Sequence, residues 1–163
     1  GVCKTDMTDD RLISLLKQAN IFLDQYEREA LRGSEITPAQ SHMLNYLLKF
    51  PEQTYSATDI RLDTGVSKAA ISSSLKGLKQ KGYITIRQVP EDERKKEILL
   101  TPKALDIRRR MDEHMRRRRE CLCRGISREE LETMEDGLEK IVDNMKQEHI
   151  RRNSYDTNTD GTD

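Results

Sequence analysis

Residues 66–104 read VSKAAISSSLKGLKQKGYITIRQVPEDERKKEILLTPKA, and a change of period inside that stretch decides the fold. Ser67 can cap a helix. Ile71, Leu75 and Leu78 recur at steps of four and three, so a helix from Lys68 to about Gln80 places them on one face, and Gly82 stops it. Tyr83-Ile84-Thr85-Ile86-Arg87-Gln88-Val89 then alternates and is rich in β-branched residues, which reads as a strand. A polar turn over Pro90 to Lys96 follows, and Glu97-Ile98-Leu99-Leu100 returns as the second strand of a hairpin.

Working upstream, Ser56-Ala57-Thr58-Asp59 is a cap signal for a short helix carrying Ile60 and Leu62, ended by Gly65. Thr37-Pro38-Ala39-Gln40 is another start, with Thr37 as cap, Pro38 in the first turn and Gln40 reaching back. That helix runs through Met43, Leu44, Leu47 and Leu48 to Pro51. The first helix is predicted from about Thr8 to Leu31, with Leu12, Leu16, Ala19, Leu23, Tyr26 and Ala30 along one face. Downstream, Thr101-Pro102 opens a helix that reaches about Arg124, before Gly125. Ser127-Arg128-Glu129-Glu130 is a further capping box, and Leu131, Met134, Leu138, Ile141 and Met145 form a narrow heptad seam behind it.

The pattern is mainly α with a small β-hairpin, an α+β winged helix-turn-helix with N- and C-terminal helices suited to dimerisation. The expected organisation is a disordered stretch at 1–7, a dimerisation helix at 8–36, the winged domain at 37–101, dimerisation helices at 102–150 and a disordered acidic tail at 151–163. Gly1 to Asp6 precede Met7, which is readable as the natural start, so Cys3 carries no weight.

The 163 residues hold 29 Lys+Arg against 29 Asp+Glu, 36% charged and 34% hydrophobic, so amphipathic helices that need a partner are expected rather than one large core. The zero net charge hides a sorted distribution. Val66 to Val89 holds five basic residues (Lys68, Lys76, Lys79, Lys81, Arg87) and no acidic one, whereas Ser127 to Ile150 holds eight acidic and three basic. A local basic surface suits a polyanion. No apolar run approaches the ~18 residues needed to span a bilayer. The odd set of three cysteines forms no disulfide or zinc framework, which favours a reducing cytoplasm. No phosphate loop, nucleophile–base set or paired-carboxylate motif is present, so catalysis is not expected, and no cofactor or metal is implied.

A helix can enter the DNA major groove only where its exposed face is small or polar. The predicted third helix offers Lys68, Ala69, Ala70, Ser72, Ser73, Lys76 and Lys79 there, with Ser67 and Lys68 at the positive end of the helix dipole. Arg87 adds to the basic surface. The hairpin tip carries Asp92, Arg94, Lys95 and Lys96, and its cations can reach the backbone or the adjacent minor groove.

The run from Val66 to Ile71, continuing to Gly82-Tyr83-Ile84, resembles the recognition helix and first wing strand of the MarR family of bacterial regulators. Asp92-Glu93-Arg94-Lys95 followed by Leu100-Thr101-Pro102-Lys103-Ala104 is similar to that family's wing signature, with Ala104 in place of the usual glycine. The resemblance extends over roughly Asp10 to His149. It implies a homodimer, joined through the first and last helices, that reads a pseudo-palindromic operator on duplex DNA, usually as a repressor. It also implies that Asp92 orients Arg94, that Arg94 enters the minor groove, and that Lys95 and Lys96 contact backbone. Many relatives carry a large basic or polar side chain where Ser73 and Ser74 stand, so base readout here would rest on Lys68, Ser72 and DNA shape. Most relatives answer to small, often phenolic or anionic, molecules. The lining this implies is Leu16, Ile21, Phe22, Tyr26, His42, Tyr46 and Met111, residues that could equally pack a helix junction.

Two alternatives stay open. A winged helix can instead hold an acidic protein partner, although this recognition face lacks aromatic residues. A regulator of the same fold could sense oxidants through Cys121 or Cys123, or a metal. Residues one apart on a helix point about 200° from each other, so the two cysteines could not chelate one ion together without unwinding. His42, His114 and His149 complete no tetrahedral set. The arginine runs 108–110 and 116–119 alternate with Asp112, Glu113 and Glu120, which favours a solvated face or salt bridges, some to the acidic last helix.

Overall fold

A computed structural model describes the backbone of residues 4–159, and the side chains of residues 10–92 and 95–154. The order is α1 (Lys4–Ala30), α2 (Pro38–Leu48), α3 (Ala57–Thr64), α4 (Lys68–Gln80), β1 (Ile84–Val89), β2 (Asp92–Leu100), α5 (Pro102–Leu122) and α6 (Arg128–Thr159). The chain forms two compact units, Gly1–Arg108 and Arg109–Asp163, so the division falls inside α5.

The first unit is built on local signals that act where the sequence places them. Thr37 and Gln40 form a reciprocal capping box at the start of α2, and Ser56 and Asp59 do the same for α3. Each satisfies backbone N–H groups that a helix start leaves without partners. Ser67 Oγ accepts from the Ala70 N–H at the start of α4. Gly65 ends α3 at φ 71, a left-handed conformation that costs glycine little.

The core joins α2, α3, α4 and the hairpin: Met43, Leu44, Leu47, Leu48, Ile60, Ile71, Leu75, Leu78, Tyr83, Ile84 and Ile98 are buried, with Ala104 and Ile107 of α5. Burying side chains of this size stabilises by about 1.5–3 kcal/mol each before conformational entropy is set against it. The hairpin is antiparallel, pairing Ile84 with Leu100, Ile86 with Ile98 and Arg87 with Glu97. Tyr55, in the link between α2 and α3, bridges to Ile98, whose N–H donates to the Tyr55 carbonyl at 2.8 Å. The wing is thereby tied to the helices it follows.

In the second unit, Ser127 and Glu130 cap α6 reciprocally at 2.8 and 3.1 Å. None of its described side chains is buried. Leu122, Met134, Leu138, Val142, Met145 and Ile150 are all exposed.

Several boundaries differ from the sequence expectation. The polar turn expected over Pro90 to Lys96 is confined to Pro90 and Glu91, and β2 begins at Asp92. A bulge absorbs the difference: Gln88 pairs with Lys96 but Val89 pairs with Asp92. A rim with solvent on both faces needs backbone pairing and no apolar alternation, so charged residues extend the strand. Residues 4–7, expected to be disordered, belong to α1, and the tail at 151–163 is helical as far as Thr159. Glu148 accepts from Arg151 and Arg152, spacing that holds a polar helix together past the last apolar residue. Cys3 and residues 160–163 lie outside the described residues. Of the two large apolar residues of α3, Leu62 is 61% exposed, whereas Ile60 is wholly buried.

Candidate nucleic-acid interface

The outward face of α4 is the one the sequence anticipated. Lys68, Ala69, Ala70, Ser72, Ser73, Lys76 and Lys79 are exposed, as is the cap Ser67, while Ile71, Leu75 and Leu78 point into the core. Ser74 is buried, so Ser73 alone of that pair stands on the open face. No bulky apolar group interrupts this surface, which lets a helix approach a groove floor closely.

Beside it, Asp92, Lys95 and Lys96 are exposed on β2. The backbone of Arg94 lies in the bulged part of β2; its side chain is outside the described residues. Arg87 is exposed but engaged, its Nε donating to Glu97 Oε2 across the hairpin at 2.8 Å. That pairing partly neutralises the Arg87 charge and stiffens the wing.

A polar network at the C-terminal end of α4, which sequence reasoning missed, fixes the angle of the helix. Lys81 Nζ donates to Gln40 Oε1 at 2.6 Å and to the Glu35 carbonyl. Lys103 Nζ donates to the Lys81 carbonyl at 2.6 Å and to Glu35 Oε1 at 3.0 Å, and lies 4.4 Å from the centre of the Tyr83 ring. Tyr83 Oη donates to the same Glu35 oxygen at 2.6 Å. The Tyr83 hydroxyl, then Lys103, holds the Glu35 carboxyl below its ordinary range. The network joins the α1–α2 link, the start of α2, the end of α4, the start of the wing and the start of α5. Its members are up to 68 positions apart in sequence, beyond the reach of any local pattern.

The residues implied for an effector lie on α1, α2 and α5. Phe22 is 65% exposed and Ile21 54%, Leu16 and Tyr26 are half-buried on α1, and His42 is exposed on α2. Met111 belongs to the second unit. Of that set, Tyr46 lines a cleft of about 320 Å³, in the company of Gln53, Thr54, Tyr55, Asp59, Leu62 and Asp63. Tyr46 Oη donates to Asp63 Oδ2 at 2.5 Å, and burial together with that bond pushes its pKa well above the ordinary tyrosine value.

Cys121 is exposed and Cys123 half-buried around the end of α5. Among the described residues, no three His, Cys, Asp or Glu side chains gather as a metal site. No described helix is long and apolar enough to cross a membrane. The arginine run of α5 pairs mainly along its own helix, Arg116 with Glu120 and Arg117 with Glu113 at 2.7 Å, and Arg119 approaches Glu135 of α6 at 4.0 Å.

Residues 34–95, from the α1–α2 link to the wing, match the MarR family. They form a MarR-family domain. The whole architecture has the same relatives. A MarR protein from Peptoclostridium difficile DA00132 is similar with a TM-score of 0.76 and 18% identity, over 93% of this chain and 95% of its own. A MarR transcriptional regulator from Methanosarcina mazei Go1 gives 0.74 and 15%, over 85% and 98%. S. aureus MepR, solved as a DNA complex, gives 0.71 and 23%, over 80% and 94%. The fold is thus the MarR winged helix.

Proposed function

We propose that this chain is a sequence-specific, ligand-responsive transcriptional repressor that binds a pseudo-palindromic operator as a homodimer in the cytoplasm. The observation that carries the reading is the α4 face, small and polar outside, anchored by Ile71, Leu75 and Leu78 inside, with a lysine-bearing wing beside it. In this account the N-terminal half of α4 enters the major groove. Lys68 and Ser72 meet base edges, while Ser67, Ala69, Ala70 and Ser73 permit close approach. Lys76 and Lys79 contact phosphates. Arg94 on the wing enters the minor groove, oriented by Asp92, with Lys95 and Lys96 on the backbone.

The second unit supports the homodimer. Helices with no fully buried side chain among the described residues gain little from packing on each other, and a helix owes most of its stability to packing an apolar face. A second copy of α1, α5 and α6 supplies that packing, and two α4 helices then address two half-sites. An effector that favours one separation of those helices shifts the population that fits DNA, with no chemistry required. B. bronchiseptica BpsR, 22% identical over 80% of this chain, offers a parallel, its DNA binding being regulated by 6-hydroxynicotinic acid.

Footprinting on duplexes selected from fragmented genomic DNA tests this reading. Two symmetric protected half-sites on one duplex are expected. Protection without symmetry would remove the dimer, and no retained duplex would remove sequence-specific binding.

A further inference from the structure

Three residues, Lys81, Gly82 and Tyr83, join α4 to β1 and so set the angle between the helix and the wing. The start of α5 takes the carbonyl of each. Lys103 Nζ donates to the Lys81 carbonyl at 2.6 Å, Thr101 Oγ1 to the Gly82 carbonyl at 2.6 Å, and the Thr101 N–H to the Tyr83 carbonyl at 3.1 Å. The Gly82 and Tyr83 amides donate back to the Lys79 and Leu78 carbonyls of α4 at 3.1 and 3.0 Å.

The Thr101 bonds continue the hairpin beyond its Ile84–Leu100 pair. The Lys103 bond is of another kind, because it reaches past the ladder to the cap of α4. A helix end leaves its last carbonyls without partners inside the helix, and here a side chain 22 positions away supplies one. The ammonium is itself held in place, by Glu35 Oε1 at 3.0 Å and by the Tyr83 ring 4.4 Å from its centre. Lys81, whose charge the sequence counts with the basic surface, turns to the same place and donates to Gln40 Oε1 and the Glu35 carbonyl. Two lysines beside the recognition helix are thus spent on the joint between helix and wing.

We infer that Lys103, held by Glu35, is a positioning residue for sequence recognition. It locks the angle at which α4 and the wing meet one duplex together, and neither Lys103 nor Lys81 contacts phosphate. This rests on the DNA-binding reading above. A specific site engages helix and wing at once, whereas random duplex is held by charge alone. Loosening the joint therefore lowers preference and leaves the electrostatic affinity in place.

The test is anisotropy titration of the full chain on a selected and a scrambled duplex across a range of salt. Lys103→Met should weaken the selected duplex about fivefold, by lowering the fraction of molecules with the joint in place, and leave scrambled-duplex affinity and the salt slope as in the parent. Glu35→Gln makes the surface more positive, so charge alone predicts tighter binding; the joint predicts weaker binding to the selected duplex. The double variant should be no worse than the weaker single one, since both act through one unit. The Lys103 and Glu35 side chains are 47% and 52% exposed, where an ion pair adds little to global stability, so the variants should fold, which thermal melts verify. Equal weakening of both duplexes, tighter binding by Glu35→Gln, or a salt slope lower by about one in Lys103→Met or Lys81→Met would overturn the inference. Hydrogen exchange on the DNA-free chain tests the joint independently. The Gly82 and Tyr83 amides should exchange about fivefold faster in Lys103→Met, with Ile71 to Leu78 unchanged, and unchanged exchange at the turn would overturn the joint. Faster exchange there in a chain that binds neither duplex would defeat the DNA-binding reading, and the recognition role with it, while the joint stands.

Discussion

In the proposed reading, Lys76 and Arg94 contribute to DNA binding in distinguishable ways. Arg94→Ala should cost roughly 1–3 kcal/mol of operator affinity by removing a minor-groove contact. Lys76→Ala should weaken specific and random duplex alike and lower the salt slope by about one. Both are read by anisotropy titration; an unchanged Arg94→Ala affinity removes the wing from the account. Glu35 gives a pH signature. Its folded pKa lies below the ordinary 4.5, so its contribution to stability is complete above that value and is lost as pH falls through the lowered one. Thermal melts of the parent and Glu35→Gln should therefore differ near neutrality and converge in acid, and parallel curves at every pH would contradict the network's role.

Among the elements, α4 is held against α2 at one close approach. A Cβ added at Gly77 would stand 2.1 Å from Gln40 Nε2 and 3.1 Å from its Cδ. The Gln40 amide is not idle, since its Oε1 accepts from both Thr37 N–H and Lys81. Gly77→Ala gains about 0.8–1.0 kcal/mol of helix propensity but must displace that amide, and we expect a net loss of stability. In a Gln40→Ala background the same substitution should stabilise, a sign change that denaturant unfolding can measure. The contrast also shows what a sequence discloses about elements. The caps at Thr37, Ser56, Ser67 and Ser127 and the Ile71-Leu75-Leu78 face were legible because each involves residues three or four apart. The Gly77–Gln40 approach, the Tyr55–Ile98 bridge, the Glu35 hub and the Tyr46–Asp63 cleft were not, since each joins segments that only the tertiary fold brings together. The extension of β2 to Asp92 was hidden for a different reason: charged residues carry no burial pattern to mark a strand.

At the scale of the whole molecule, the exposed apolar side chains call for a partner. The second unit exposes Met134, Leu138, Val142 and Met145 along α6, and α1 exposes Leu12, Leu15 and Phe22. Leu138→Glu should place a charge in the seam, and sedimentation velocity should then show monomers with operator binding lost in proportion. A dimer that survives that substitution would place the seam elsewhere. The most direct test of the central claim is fluorescence anisotropy of the full chain on a selected duplex and its scrambled counterpart, across about 50–300 mM salt. The account predicts one dimer per specific duplex, a clear preference over the scrambled sequence, and affinity that falls steeply with salt. Equal, salt-insensitive binding to both duplexes, or none to either from a folded dimer, would contradict it.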